Sequence, residues 1–183
     1  MIRDISAELE RVGVSRETFP RLERLVELLA RWNPRINLVA PSKLPDVWRR
    51  HVLDSEQLWP HRPSHEKLWI DLGSGAGFPG LVIAAVAADA DPAVAVTLVE
   101  SDARKCAFLR EAARAMAVSP TILNSRIETL DVSRYDVVSA RAFAPLSRMM
   151  PMAFRLAKPD GVCLFLKGAS CADELTEARR SWH

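Results

Sequence analysis

A glycine-rich segment between an apolar run and a helical run constrains this chain more than any other feature. It reads Asp71-Leu72-Gly73-Ser74-Gly75-Ala76-Gly77-Phe78-Pro79-Gly80 and follows the apolar run 67–72. Glycines permit positive φ and let a ligand approach bare backbone, while the first turn of the following helix presents free N–H groups. The segment therefore predicts a strand-to-helix turn that binds a nucleotide-like ligand.

The rest of the chain alternates between strands and helices. Short apolar runs at 67–72, 94–100, 121–123, 135–140 and 162–166 predict strands. Helical spacing predicts helices at 79–88, 103–116 and 146–156, with another starting near Ala172. Such alternation predicts an α/β fold with a doubly wound, mostly parallel sheet and helices on both faces.

The first 65 residues have a different pattern, which predicts a helical extension. We expect one helix over 2–12, a second that is capped by Ser15 and ended by Asn33-Pro34, and a third over about 44–59. The stripe of the second helix is Phe19, Leu22, Leu25, Val26, Leu29 and Trp32, and the third buries Val47, Val52 and Leu58. The extension, 1–65, is expected to pack on a domain formed by 66–183.

Composition excludes several classes of protein. The formal net charge is +2 with 26% charged residues of mixed sign, so neither disorder nor a strongly basic coat is expected. The three cysteines, an odd number without a C-x-x-C pair, argue against a disulfide framework. The longest apolar run, 81–88, is far shorter than the roughly 20 residues that span a bilayer. We expect a cytoplasmic protein that does not associate with membranes.

An acidic residue follows the glycine segment at the spacing that is typical of a ribose-binding carboxylate. Glu100 ends the second predicted strand, 23 residues after Gly77. A carboxylate there can accept hydrogen bonds from both hydroxyls of a ribose, so the two features predict an adenosine cofactor. A nicotinamide dinucleotide and a purely structural turn stay as alternatives. The pattern Asp-x-Gly-x-Gly-x-Gly, which begins at Asp71, resembles motif I of the Rossmann-like class I methyltransferases, and this implies S-adenosylmethionine with Asp71 orienting its amino-acid part.

Five segments in register resemble one methyltransferase family. They are Trp32-Asn33-Pro34-Arg35-Ile36-Asn37-Leu38-Val39, Arg50-His51-Val52-Leu53-Asp54-Ser55, the loop 73–80, Ser139-Ala140-Arg141-Ala142-Phe143-Ala144 and Leu166-Lys167-Gly168. Together they resemble the ribosomal RNA small-subunit methyltransferase G family, also called glucose-inhibited division protein B. In this family the chain would end with two further strands, so we expect C-terminal strands to be missing from the given sequence.

The resemblance implies an activity and a set of site residues. The activity would be methyl transfer from S-adenosylmethionine to guanine N7 in the decoding-region loop of 16S ribosomal RNA. Arg141 would face both the cofactor and the target base and act as the catalytic residue. The implied cofactor contacts are Asp71, Gly73, Ser74, Gly75, Gly77, Phe78, Glu100, Ile127, Glu128 and Arg141.

The residues after the fourth predicted strand fit this chemistry. Guanine N7 carries an in-plane lone pair, so its methylation needs alignment and no general base. Ser139-Ala140-Arg141-Ala142 lacks the Asn/Asp-Pro-Pro-aromatic motif of amino-group methyltransferases. Cys106 and Cys163 lie in predicted core positions and not in a nucleophile motif. An arginine at a strand end can equally be a solvated surface residue.

Basic residues near the predicted site are candidates for RNA contacts. They are Arg49, Arg50, His51, Arg104, Lys105, Arg148 and Lys167. His51 and Asp54 lie three residues apart and can instead form a structural hydrogen bond. Pro63 separates His61 from His65, so no metal site is expected. We expect a monomer that recognises 16S RNA within the 30S subunit or a precursor. The alternatives are a methyltransferase acting on a protein or small molecule, and a non-catalytic cofactor sensor.

Overall fold

The computed structural model describes residues 14–63, 67–131, 135–141, 144–169 and 171–181. The predicted helix over 2–12 lies outside the described residues. The predicted boundary between 1–65 and 66–183 also lies outside them.

Five parallel strands form the sheet, in the order β3-β2-β1-β4-β5. The strands are β1 Leu68–Leu72, β2 Ala95–Glu100, β3 Thr121–Asn124, β4 Tyr135–Arg141 and β5 Ala157–Leu166. The helices are α1 Thr18–Ile36, α2 Gly80–Ala90, α3 Ala103–Ala115, α4 Leu146–Leu156 and α5 Cys171–Ser181. The predicted doubly wound α/β fold is confirmed. The strand order reverses between β1 and β4, so their carboxyl ends flank the crevice where such sheets bind ligands.

Successive side chains of a strand point to opposite faces of the sheet, so the core is divided between the two faces. Trp69 and Leu98 pack on the face covered by α1, α2 and α3. Ile70, Val99 and Val138 pack on the opposite face, against Met149, Ala153 and Leu156 of α4. Both faces of the central strands are therefore buried, which leaves the strand ends as the place for polar chemistry.

Helix α1 begins as predicted but ends later. The N–H of Thr18 donates to Ser15 Oγ at 3.0 Å, which is the expected cap. The prediction that Asn33-Pro34 ends the helix is wrong, because the helix runs to Ile36 with Pro34 inside it. A proline removes one backbone donor, and the final turn instead closes when Asn37, at φ 48°, donates its N–H to the carbonyl of Asn33.

The segment after α1 is less regular than predicted. In place of one helix over 44–59, the chain forms a 3₁₀ turn at Pro41–Lys43, a π-helical turn at Trp48–Leu53, an α-helical turn at Asp54–Glu56 and a 3₁₀ turn at Trp59–His61. We call 48–56 the π–α segment. Val47, Val52 and Leu58 are buried as predicted. Apolar spacing over so few residues does not distinguish an α turn from a π turn, and π turns are frequent at functional sites.

Strand β5 is longer than predicted. It begins at Ala157 and not at Val162, because a register shift against β4 accommodates Pro159-Asp160-Gly161 within the pairing. A turn-like sequence can lie in a strand where a bulge takes up the extra residues.

Candidate active site

The glycine loop between β1 and α2 has a backbone that only glycine adopts readily. Gly73, Gly75 and Gly77 have φ values of 67°, 51° and 87°. The N–H of Ser74 donates to the carbonyl of Val99 at 3.0 Å, which ties the loop to β2. Bare backbone therefore lies over the carboxyl ends of β1 and β2.

Asp71 lies behind this loop and not in a cavity. Its side chain is fully buried and accepts hydrogen bonds from Ser139 Oγ at 2.8 Å and from the N–H of Gly80 at 3.2 Å. The Ser139 hydroxyl also accepts the indole N–H of Trp69 at 2.9 Å. Burial raises the pKa of Asp71 to about 6. The structure therefore gives Asp71 a supporting position, which joins β1, β4 and the start of α2. That Asp71 orients the amino-acid part of the cofactor stays a prediction.

Gly77 and Ser74 also support the turn from within. A Cβ atom on Gly77 would lie 2.5 Å from Leu81 Cδ1, so the absence of a side chain lets α2 pack close to the loop. Ser74 Oγ donates to the carbonyl of Asp71 at 3.1 Å and is buried. Of these two predicted cofactor contacts, Ser74 borders a cavity and Gly77 does not.

Glu100 ends β2 beside the loop, as predicted. Its Oε2 accepts the N–H of Gly75 at 3.0 Å, and its Oε1 accepts the N–H of Asp102 at 2.9 Å. The side chain is mostly buried, at 8% exposed, yet it borders a cavity of about 450 Å³. Two backbone donors thus fix the carboxylate at the cavity wall, with lone pairs left for a ligand.

This Glu100 cavity brings together five of the predicted cofactor contacts. Its walls include Gly73, Gly75, Glu100, Ile127 and Glu128, all of which were predicted as cofactor contacts. Lys105 and Arg148, which were predicted to contact RNA, border the same cavity. Ser101, Ser125, Arg126 and Met152 also line this cavity, and none of the four was singled out from the sequence.

Arg155 of α4 holds one wall of the Glu100 cavity. Its Nη2 donates to the carbonyl of Ile127 at 2.7 Å, and its Nη1 donates to that of Leu130 at 2.9 Å. Ile127 begins a 3₁₀ turn that ends at Thr129. The bidentate guanidinium fixes this turn over the carboxyl end of β3.

Two further cavities continue from the first. The Phe78 cavity, about 300 Å³, shares Gly73, Gly75 and Lys105 with the Glu100 cavity. The Asp54 cavity, about 430 Å³, shares Lys43, His51 and Arg141 with the Phe78 cavity. The three form one trough, which runs from Glu100 along the glycine loop to the end of β4.

The middle of the trough is shaped by the end of α1. Asn33 accepts the N–H of Val39 at 2.8 Å through Oδ1 and donates to its carbonyl at 3.0 Å through Nδ2. This pair of hydrogen bonds holds Leu38, Val39 and Ala40 against the Phe78 cavity. The role of Asn33 was not predicted.

Arg141 and His51 lie where the Phe78 and Asp54 cavities meet. Arg141 Nη2 donates to the carbonyl of Arg50 at 2.6 Å. Burial lowers the pKa of Arg141, while the carboxylate of Asp54 raises it. His51 stacks on Phe78 with ring centroids 5.1 Å apart. Burial, followed by the charges of Arg141 and Lys43, lowers the pKa of His51 to about 4, against a smaller opposing effect of the Arg50 carbonyl.

A hydrogen bond between His51 and Asp54, one of the two alternatives left open above, does not form. Both His51 nitrogens are buried without a hydrogen-bond partner among the described residues. Asp54 instead lines its cavity and interacts with the charge of Arg141. The helical spacing of three residues did not bring the two side chains together because a π turn ends between them.

Lys167, a predicted RNA contact, borders the Asp54 cavity but also has an internal partner. Its side chain is only 8% exposed and its Nζ lies 2.6 Å from Glu174 Oε2, while its contact with RNA stays a prediction. The ammonium also donates to the carbonyl of Ala144 at 2.9 Å, and the same Glu174 oxygen accepts the N–H of Leu146 at 2.9 Å. Glu174 was not singled out in the sequence, yet it holds the start of α4, whose residues Arg148 and Met152 line the Glu100 cavity.

Three other predicted RNA contacts lie outside the trough or at its edge. Arg104 is exposed and bound to Asp102, with Nη2 and Oδ2 3.1 Å apart. Arg50 borders the Asp54 cavity, and its Nε lies 3.6 Å from Asp46 Oδ2. Arg49 is exposed on the same π–α segment. These side chains form a basic rim around the trough and not its floor.

The described part of the chain shows neither a cluster of metal ligands nor a membrane-spanning helix. Within it, no group of three or more His, Cys, Asp and Glu side chains is arranged to hold a metal ion. Among the same residues, no helix has the length and apolarity needed to cross a membrane.

Comparisons with known proteins agree on one family. The family model described as rRNA small subunit methyltransferase G matches residues 18–183. The chain is 50% identical over 175 residues to the ribosomal RNA small subunit methyltransferase G of Paramagnetospirillum magneticum, covering 96% of this chain and 83% of that protein. It is 52% identical over 170 residues to the protein of the same name from Rhodospirillum centenum, covering 93% and 76%.

A solved structure supports the fold independently. The ribosomal protein L11 methylase of Lactobacillus delbrueckii subsp. bulgaricus matches with a TM-score of 0.59 at 13% identity, over 72% of this chain and 67% of that chain. The resemblance stated from the sequence is thus confirmed: the chain belongs to the rRNA small subunit methyltransferase G family.

Proposed function

We propose that this protein transfers a methyl group from S-adenosylmethionine to N7 of a guanosine in 16S ribosomal RNA. The observation that carries the proposal is the continuous trough, which joins the Glu100 cavity to the half-buried guanidinium of Arg141. A donor held by the glycine loop and an acceptor base held near Arg141 would meet between these two points. The names of the relatives support ribosomal RNA as the acceptor class.

The residues of the Glu100 cavity fit the donor. Its volume of about 450 Å³ falls within the range of ~300–1,000 Å³ that is usual for small-ligand pockets. Glu100 would accept hydrogen bonds from the ribose hydroxyls, and Ile127 and Glu128 would flank the adenine. Gly73 and Gly75 would let the amino-acid part approach the backbone. When bound, S-adenosylmethionine supplies an electrophilic methyl group on a sulfonium.

The residues at the other end of the trough suit a base that needs no deprotonation. The N7 lone pair forms the new bond to carbon as the carbon–sulfur bond breaks, so positive charge passes from sulfur to the purine ring and no proton moves. Alignment of the base then dominates the rate. We assign that alignment to Arg141, which is fixed through the Arg50 carbonyl at 2.6 Å.

The basic rim, together with Lys105 and Arg148, would guide the RNA towards the trough. Lys105 and Arg148 border the Glu100 cavity, and Arg49 and Arg50 lie on the π–α segment. With a net charge of +2, the chain offers few charges for tight binding to naked RNA. We therefore propose that the substrate is a structured 30S particle and that the enzyme is a monomer that acts in the cytoplasm. In this proposal residues 1–65 contribute to RNA docking, while 66–183 hold the donor.

Transfer of a labelled methyl group tests the proposal. Unmodified 30S subunits, naked 16S RNA and ribosomal proteins are offered separately as acceptors with labelled S-adenosylmethionine. We expect label in RNA, with 30S subunits preferred, and a loss of about 100-fold for Arg141→Ala. Arg114→Ala, which alters an exposed arginine on α3 away from the trough, serves as the matched control and should retain activity. Label in protein, or none in any RNA although the donor binds, would reject the proposal.

A further inference from the structure

Two polar side chains at the meeting point of the Phe78 and Asp54 cavities retain unused hydrogen-bonding capacity. His51 is 7% exposed, and neither ring nitrogen has a hydrogen-bond partner among the described residues. Arg141 Nη1 is buried in the same way, without a partner in the described part of the chain. Buried polar atoms are normally satisfied, so unsatisfied ones at a cavity wall indicate a ligand that completes them.

Both side chains are held in place by other contacts. Arg141 Nη2 is anchored to the carbonyl of Arg50, the residue that precedes His51 in the chain. The His51 ring is stacked on Phe78 at an interplanar angle of 22°. Both residues line both cavities, so their unused atoms face one shared space. The arrangement is preorganised, and a ligand there would not have to displace an existing hydrogen bond of Arg141 Nη1.

The chemistry of the unused atoms selects an acceptor. A guanidinium has donors only, and a neutral imidazole adds one N–H donor and one acceptor. The 6-oxygen of guanine accepts hydrogen bonds, whereas the 6-amino group of adenine presents a donor at the same place. A neutral imidazole also contacts the base without adding positive charge beside N7, where charge develops during methylation. The low pKa of His51, about 4, keeps it neutral at physiological pH.

We propose that His51 and Arg141 form a slot that reads the 6-oxygen of the target purine and so selects guanine over adenine. This inference rests on the proposed function, because it assigns a base to the acceptor end of the trough. Within the slot, Arg141 Nη1 donates to the 6-oxygen and His51 supplies the second donor. N7 is then left free to face the donor in the Glu100 cavity.

Three RNA substrates separate the 6-oxygen from the rest of the base. After the methylated position has been mapped, 16S RNA is assembled into 30S particles with guanosine, inosine or 2-aminopurine riboside at that position. All three keep N7, inosine lacks only the 2-amino group, and 2-aminopurine lacks the 6-oxygen. We expect kcat/KM for inosine within about threefold of guanosine. For 2-aminopurine we expect a loss of about 100-fold or more, because the buried donors stay unpaired.

Variants test which side chains do the reading. His51→Phe keeps a ring to stack on Phe78 but removes both nitrogens, and it should reduce the guanosine to 2-aminopurine ratio from about 100 to below about 10. Arg141→Ala should reduce the ratio similarly. Lys43 lines the same two cavities, and Lys43→Met serves as the control that removes a neighbouring charge. It should lower kcat/KM for all three substrates alike. Circular dichroism and urea unfolding confirm that each variant is folded.

The outcomes distinguish the inference from the proposed function. If the unaltered protein methylates guanosine and 2-aminopurine with similar kcat/KM, the slot does not read the 6-oxygen and the inference is overturned while the proposed function stands. A ratio that is unchanged in both His51→Phe and Arg141→Ala would overturn it as well. If no RNA is methylated at all, the proposed function fails first.

Discussion

Removal of the Ser139 hydroxyl should show how strongly the buried network supports the glycine loop. Ser139 is fully buried, donates to Asp71 at 2.8 Å and accepts the Trp69 indole N–H at 2.9 Å. Loss of a bond to a charged carboxylate costs about 1.5–3 kcal/mol, and an indole N–H left without a partner costs about 1–3 kcal/mol. Ser139→Ala should therefore lower the free energy of unfolding by about 3–4 kcal/mol at pH 8. In a chain of this size the melting temperature should fall by roughly 6–15 °C.

The pH dependence makes this prediction sharper. The pKa of Asp71 is raised from 3.8 to about 6, so the stability that its protonated form contributes is complete below pH 3.8 and is lost as pH rises through about 6. The Ser139 bond lowers this pKa, so the variant should have a higher one and lose more stability at high pH. The cost of Ser139→Ala should thus shrink to about 1–2 kcal/mol at pH 5, where the carboxyl is protonated.

Urea unfolding followed by tryptophan fluorescence measures this cost at both pH values. Thr176→Ala removes an exposed hydroxyl that is bound to the carbonyl of Ala172 at 2.9 Å, and it should cost less than about 0.5 kcal/mol. A cost of Ser139→Ala below about 1 kcal/mol, or one that is equal at pH 5 and pH 8, would refute the reasoning about the network.

Three further predictions concern other carboxylates. Glu100→Gln should weaken S-adenosylmethionine binding about 10- to 100-fold in calorimetry, because a charge-assisted acceptor is lost. Glu27→Gln, at an exposed position of α1, is the control. Equal affinities of the Glu100→Gln variant and the unaltered protein would contradict the ribose assignment. Glu174→Gln leaves the Lys167 ammonium without its carboxylate and should lower the free energy of unfolding by about 3 kcal/mol. Adding Lys167→Met to this variant should recover at least about 1 kcal/mol. Additive effects of the two substitutions would disprove the pairing. Burial raises the pKa of Glu56 from 4.5 to about 7, so the stability that its protonated form contributes is lost as pH rises through 7. Between pH 5 and pH 8 the free energy of unfolding of Glu56→Gln should therefore rise by about 1–2 kcal/mol relative to that of the unaltered protein. Parallel stability curves would contradict this.

Much of the fold could be predicted from the sequence because its signals are local. The alternation of apolar strands and amphipathic helices placed all five strands of the sheet, and Leu146–Leu156 was predicted to the residue. The errors fall where tertiary contacts override local preference. Asn37 completes the last turn of α1 beyond Pro34, and a register shift against β4 extends β5 to Ala157.

The candidate site was only partly predictable for a similar reason. Gly73 and Glu100 fall at fixed distances from strand ends, so their places follow from spacing alone. Asp71 has the same spacing signal, but its burial depends on Ser139, which is 68 residues away in the chain. The pairing of Lys167 with Glu174 likewise depends on how α5 docks against α4, and no local pattern reports that. A basic residue in sequence therefore did not distinguish an RNA contact from an internal support.

Chemical mapping of the methylated atom tests the central claim most directly. RNA that has been incubated with the protein and S-adenosylmethionine is treated with borohydride and aniline, which cleave the strand at N7-methylguanosine, and the cleavage is located by primer extension. We predict one cleavage site in 16S RNA, at a guanosine, that is absent without the donor and that forms about 100-fold more slowly with Arg141→Ala. Label incorporated into RNA without such cleavage, or cleavage at many guanosines, would contradict the account.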